Sequence, residues 1–139
     1  MKNISVFILC GGRGSRLGEK TAEIPKPLVP VNGNPMVTYI LNHFTEQDFY
    51  DVTMGTGYLS EKVEEFAKNF DTKADIRISN AGEKASMLER IHTALPNFKD
   101  ETIVSYGDTF IEIDYNELVD QHRKSGAVAT IITGKIKNP

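Results

Sequence analysis

Strand-like and helix-like patterns alternate along the whole 139-residue chain, which predicts an α/β fold with a parallel sheet, helices on both faces and right-handed crossovers. Two further observations support that class. The run Ile4 to Leu9 is apolar almost without a break, as a strand covered on both faces must be. A glycine-rich, basic loop, LCGGRGSRLGEKTAEIPKP from Leu9 to Pro27, follows at its carboxyl end. In such sheets ligands gather at the carboxyl ends of strands, near a switch in strand order.

Each element has its own signal. Lys2 ahead of an apolar segment starts like a signal peptide, but the segment runs into a charged glycine loop and reads as the first strand. Asn34 and Pro35 resemble an N-cap and first-turn proline for a helix through about Phe44. Asp51 to Gly57 forms a second strand ended by glycine. Ser60 can cap a helix whose Val63, Phe66 and Phe70 make an apolar stripe. Asp75 to Ser79 alternates, with Ile76 and Ile78 on one face, as a third strand. Ser86 to Leu95 has a helical pattern that turns Leu88, Ile91 and Leu95 inward. Thr102 to Tyr106 is a fourth strand, and Asp114 with Glu117 opens a helix over Tyr115 to Ser125 that Gly126 closes. The β-branched run Val128 to Thr133 is a fifth strand.

Composition narrows the function. Hydrophobic residues make up 40% and charged residues 25%, and no apolar run approaches the roughly 20 residues of a membrane span. The single cysteine, Cys10, excludes an internal disulfide and suits a reducing cytoplasm; it reads as a small core residue. A net charge of −3 argues against general nucleic-acid binding. Attraction for an anion must be local, and the opening loop is where basic residues dominate.

Gly11, Gly12 and Gly14 permit backbone conformations that let successive N–H groups converge on an anion. Arg16 adds a forked donor for phosphate oxygens, and Lys26 a point charge held between Pro25 and Pro27. Neither common phosphate loop fits. A dinucleotide fingerprint from Gly12 needs glycine where Leu17 stands, and Glu19 interrupts the Gly-Lys-Thr order of a Walker loop. Asp108 follows Gly107 at the end of the fourth strand, on the same rim, and Mg²⁺ typically takes one or two carboxylates plus substrate phosphates. Asp114 is better explained as a helix cap, and His43, His92 and His122 as packing or surface residues.

The pattern GGRGSRL followed by PKPLVPVNGNPMVTYIL, with TGY at Thr56 to Tyr58 and SYGDTF at Ser105 to Phe110, resembles the nucleotidyltransferases that activate sugar 1-phosphates. Within that family, SYGDTFIEIDYNELVDQH is similar to the hexose-1-phosphate cytidylyltransferase and heptose-1-phosphate guanylyltransferase branches. The resemblance implies a three-layer sandwich with a mostly parallel, Rossmann-like sheet of the nucleotide-diphospho-sugar transferase type. It also implies a soluble cytoplasmic enzyme joining a nucleoside triphosphate, CTP or GTP favoured, to a sugar 1-phosphate. Pyrophosphate would leave, and the NDP-sugar would serve surface polysaccharide synthesis. Gly11, Gly12 and Gly14 would wrap the triphosphate, with Leu9 and Gly11 near base or ribose. Arg16 would stabilise the departing pyrophosphate, Lys26 would sit on the phosphates, and Asp108 would bind Mg²⁺.

Where the family carries a stretch like LGTGGA, this chain has NAGEKASMLERI from Asn80 to Ile91. Asn80 can still meet a base edge and Ala85 a close approach, but base and acceptor stay open. A non-sugar phosphate acceptor, or a nucleotide-binding module without turnover, are the alternatives. Proteins of this family also continue for roughly another hundred residues, an ordinary domain increment. Residues 1–139 are thus expected to be the N-terminal nucleotide-binding part of the domain, incomplete at its C-terminus and poorly active alone. The missing part would supply acceptor-binding groups, a second lysine and a second metal-binding aspartate. An exposed apolar edge or face is expected with it, favouring association into a homo-oligomer.

Overall fold

The computed structural model describes residues 3–12 and 24–131. Its main sheet has four strands, β1 (Ile4–Leu9), β4 (Asp51–Thr56), β5 (Asp75–Asn80) and β6 (Glu101–Tyr106), in the order β5-β4-β1-β6. Every pairing is parallel. From β1 the chain steps outward to β4 and β5, then returns across β1 to β6. That reversal puts a switch point between β1 and β6, where Leu9 pairs with Tyr106 at the carboxyl end.

The crossovers set the layers. Helices α1 (Met36–Glu46) and α2 (Ser60–Asn69) belong to connections running toward β5, whereas α3 (Met87–Ala94) belongs to the connection running back. Right-handed crossovers in opposite directions put α3 on the opposite face. One face is the main core: Val6 and Ile8 of β1, with Cys10 just after it, meet Val37, Leu41 and Phe44 of α1 and Val63 of α2. Tyr115, opening helix α4 (Tyr115–Ser125), stacks on Phe44 at a centroid distance of 4.3 Å and brings α4 to the same side. On the other face Phe7 is fully buried and lies 5.2 Å from Phe98. Gly55 on the neighbouring strand makes this possible, because a Cβ there would lie 2.5 Å from the Phe7 ring.

Several sequence expectations change at element ends. Asn34 is not the N-cap: Asn34–Pro35 form a short strand, β3, antiparallel to β2 (Pro30–Val31). Asn32 and Gly33, with φ of 50° and 85°, make the tight turn between them, so Asn-Gly acts as a hairpin signal and α1 starts one residue after Pro35. Ser60 is not a cap either. Leu59 holds that position in the left-handed region, and the Ser60 hydroxyl instead donates to Thr56 Oγ1 at 2.7 Å. Asp114 does cap α4, accepting from the Glu117 N–H at 3.1 Å, and Gly126 closes that helix with φ 69°.

Helix α3 turns a different face to the sheet from the one its leucines suggest. Leu88 is 78% exposed and Leu95 49%, while Arg90 and Ala94, one turn apart, are buried. The reason is polar rather than apolar: the Arg90 guanidinium reaches the Thr56 and Glu83 carbonyls, and Ala94 follows on the same face one turn on. A capping box fixes where the helix begins, with the Ser86 Oγ accepting from Glu89 N–H and the Glu89 carboxylate accepting from Ser86 N–H.

The expected fifth strand is not formed over residues 128–131, which lie exposed outside the sheet; its last two residues fall outside the described part. A β-branched run needs a partner strand to be held extended, and β6 pairs only with β1 among the described residues. Val104 and Tyr106 on the Phe7 face of β6 are accordingly about half exposed.

Candidate active site

A cleft of about 350 Å³ opens over the carboxyl ends of β1 and β6. Leu9, Gly11 and Gly12 line it from the first loop, Ala85 and Arg90 from the β5–α3 connection, and Lys26 and Asp108 from the remaining side. Of the residues singled out in the sequence, six are brought together here: Leu9, Gly11, Gly12, Lys26, Ala85 and Asp108. Gly14 and Arg16 lie outside the described residues. Asn80 ends β5, and its side-chain oxygen accepts from the Gly82 N–H at 2.9 Å, shaping the turn that leads to Ala85.

Lys26 and Asp108 form an ion pair, Nζ to Oδ2 at 2.8 Å, with about a third of each side chain exposed. Local structure aims both groups. Lys26 begins a 3₁₀ turn over Lys26–Leu28 closed by Leu28 N–H to Pro25 carbonyl at 2.9 Å, with Pro25 before it and Pro27 inside it. Asp108 is aimed by Gly107, whose N–H donates to the Leu9 carbonyl at 2.9 Å. A Cβ on Gly107 would lie 2.8 Å from that carbonyl oxygen and 2.9 Å from Cys10 Sγ, so no larger residue lets the end of β6 come this close to β1. Below the pair, burial and then the Asp108 carboxylate push the Cys10 thiol far above its ordinary value. Cys10 is therefore a neutral core group, as its sequence context suggests.

Two residues steady the segment after Asp108 in a way the sequence did not advertise. Gln47, just past α1, donates to the Ile113 carbonyl at 2.9 Å and accepts from the Tyr115 N–H at 2.7 Å. His43 Nε2 accepts from the Ile113 N–H at 3.0 Å. These partners are some 70 positions apart in sequence, and no local pattern announces them.

Arg90 is the larger omission. It is only 6% exposed, and its Nη1 donates to the Thr56 carbonyl at 2.9 Å and its Nη2 to the Glu83 carbonyl at 3.2 Å. Burial pulls its pKa down, opposed in part by the Glu89 carboxylate. This side chain also explains Gly11. The φ of Gly11 is not in the left-handed region, but a Cβ there would fall 2.0 Å from Arg90 Nη1. At this position glycine is required for space, not for the conformational freedom that its place in the loop suggests.

A cleft at the carboxyl ends of the strands, beside a switch in strand order, is where parallel α/β sheets bind their ligands. The family model for the MobA-like NTP transferase domain matches residues 6–139. The chain belongs to that family. Among its relatives, the D-glycero-alpha-D-manno-heptose 1-phosphate guanylyltransferase of Campylobacter jejuni is 32% identical over 115 residues, covering 83% of this chain and 52% of the relative. A Bacillus subtilis protein named as a probable glucose-1-phosphate cytidylyltransferase is 31% identical over 150 residues, covering 92% of this chain and 59% of its own. The fold matches the crystal structure of HddC from Yersinia pseudotuberculosis complexed with GMP-PN, with a TM-score of 0.76 at 24% identity over 85% of this chain and 53% of that one. The chain thus spans between half and three-fifths of the length of those proteins. The match supports the nucleotidyltransferase resemblance and the α/β sandwich expected from the sequence.

Proposed function

We propose that the cleft binds a nucleoside triphosphate, CTP or GTP favoured, and that the whole protein transfers its nucleotidyl group to a sugar 1-phosphate. The observation that carries this reading is the Lys26–Asp108 pair facing the Gly11–Gly12 backbone at the strand switch. A phosphate oxygen of the acceptor would bond to the α-phosphorus while the bond between α-phosphorus and bridging oxygen breaks, releasing pyrophosphate. Both reactants are anions, so the protein's task is charge neutralisation and in-line placement, with no covalent intermediate.

Lys26 would leave Asp108 for the phosphates, and Arg16 would take charge developing on the pyrophosphate. The donor set suits Mg²⁺ rather than a softer ion. Asp108 offers one carboxylate, and among the described residues no group of three or more His, Cys, Asp or Glu side chains could enclose a metal. Mg²⁺ is usually held by one or two carboxylates with substrate phosphates completing its shell. When bound, it would neutralise phosphate oxygens. Asp108→Asn keeps the side chain's size and should weaken metal-dependent nucleotide binding without unfolding the chain. Arg16→Ala should cost about 1.5–3 kcal/mol of nucleotide binding or transition-state stabilisation.

Relatives named for sugar 1-phosphates support the acceptor class, and the departure over Asn80 to Ser86 keeps non-sugar phosphates in the test panel. The reading also places the protein in the cytoplasm, making NDP-sugars for surface polysaccharide, and includes self-association. Among the described residues no helix is long and apolar enough to cross a membrane. The test is pyrophosphate release from five nucleoside triphosphates against hexose 1-phosphates, heptose 1-phosphates and phosphocholine. Pyrophosphate with one pairing supports transfer. Orthophosphate in its place would identify an NTPase, and tight nucleotide binding with neither product a module without turnover.

A further inference from the structure

Arg90 is a buried cation with no carboxylate within ion-pair distance among the described residues. Its nearest influence of that kind, Glu89, has its carboxylate engaged by the Ser86 N–H in the capping box. Burying a cation is costly unless something compensates it. Two backbone carbonyls do so in part, occupying two of the guanidinium's five N–H groups. At the other side of the same cleft Lys26 is already neutralised by Asp108. Glu83 also lines the cleft but gives Arg90 only its carbonyl, so the guanidinium stays on the cleft wall as a cation without an ion-pair partner among the described residues.

The same side chain joins three segments. Its bond to Thr56 holds the end of β4, its bond to Glu83 holds the β5–α3 connection, and its guanidinium fills the space beside Gly11 after β1. Gly57 is shaped by it as well, since a Cβ there would lie 2.4 Å from Arg90 Nη1. A neutral spacer could bridge the carbonyls without the cost of burying charge. That the chain uses arginine here points to a role for the charge itself.

We propose that Arg90 is a positioning residue of the nucleotide site, tying the segments after β1, β4 and β5 together and holding a buried positive charge against the anion bound there. This rests on the nucleotide-binding reading above. Arg90→Lys keeps the charge but loses the fork, whereas Arg90→Gln keeps amide donors and loses the charge. Both should lower the melting temperature of the free protein; Lys should weaken nucleotide binding only about twofold, whereas Gln should weaken it by about tenfold with a shallower salt dependence. Titrations of the full protein with CTP, GTP, UTP, dTTP and ATP plus Mg²⁺ supply the comparison. Wild-type affinity in Arg90→Gln, or equal losses in both variants, would overturn the proposal. Wild-type protein that binds none of the five would overturn the nucleotide reading and this one with it. If neither variant folds, the wild-type Arg90 Nε–H resonance decides. It should shift when the best triphosphate is added, and an unmoved resonance at saturation would contradict the role.

Discussion

The two sides of the cleft solve the same electrostatic problem differently. Beside β1 and β6, Lys26 and Asp108 neutralise each other at 2.8 Å while partly exposed, and both can exchange partners when charged ligands arrive. Beside β5 and α3, Arg90 is buried, tied to backbone carbonyls and unable to rearrange without disturbing the chain around it. The difference teaches that one side is built for exchange and the other for rigidity. Surface ion pairs contribute little to stability and break cheaply, whereas a buried, hydrogen-bonded cation does neither.

The glycines beneath each side offer the sharpest way to break the comparison. Gly107→Ala should be the most damaging substitution, about 2–3 kcal/mol by chemical denaturation, because its Cβ meets the Leu9 carbonyl and Cys10 rather than a mobile side-chain tip. Gly11→Ala should cost about 1–3 kcal/mol in the wild type, where the collision is mainly with the Arg90 guanidinium. In an Arg90→Ala background most of that increment should disappear, a non-additivity that a double-mutant cycle reads directly. Strict additivity would show that Arg90 does not set the space at Gly11. No side-chain truncation should rescue Gly107→Ala in the same way.

Smaller effects sharpen the picture. Ser86→Ala removes the cap that starts α3 and should cost about 1 kcal/mol, read as a lower midpoint with an unchanged denaturant slope. Lys26→Met should change stability by no more than about 1 kcal/mol, since its ion pair is partly exposed, yet it should weaken triphosphate binding. A large loss of stability there would mean that the pair is structural and that the contrast between the two sides is misdrawn.

The same contrast explains what could be read from the sequence. The β1 side was legible because its signals are local: an apolar strand, glycines directly after it, and a lysine fixed between prolines. Parallel order and the placement of Asp108 on the same rim followed from alternation of strands and helices. The Arg90 side was not legible. Leu88, Ile91 and Leu95 have the spacing of a buried helical stripe, and nothing nearby signals that a polar side chain will displace two of them outward. Arg90 is recognisable only once Thr56 and Glu83 are known to lie beneath it, the first 34 positions away in sequence. Asn34 and Ser60 misled for a related reason. Each is a good cap by type, but an Asn-Gly hairpin in one case and a left-handed Leu59 in the other decided where the helix begins.

If the cleft between the loops after β1 and β6 receives a nucleoside triphosphate, as proposed, its phosphates and Mg²⁺ meet at Lys26 and Asp108. Calorimetric titration of the wild type and Asp108→Asn with CTP and GTP, each with and without Mg²⁺, tests it most directly. The wild type should bind at least one nucleotide in a Mg²⁺-dependent way and Asp108→Asn should lose that Mg²⁺ dependence, with both proteins folded. Equal, Mg²⁺-responsive binding to both proteins, or no binding to the wild type, would contradict it.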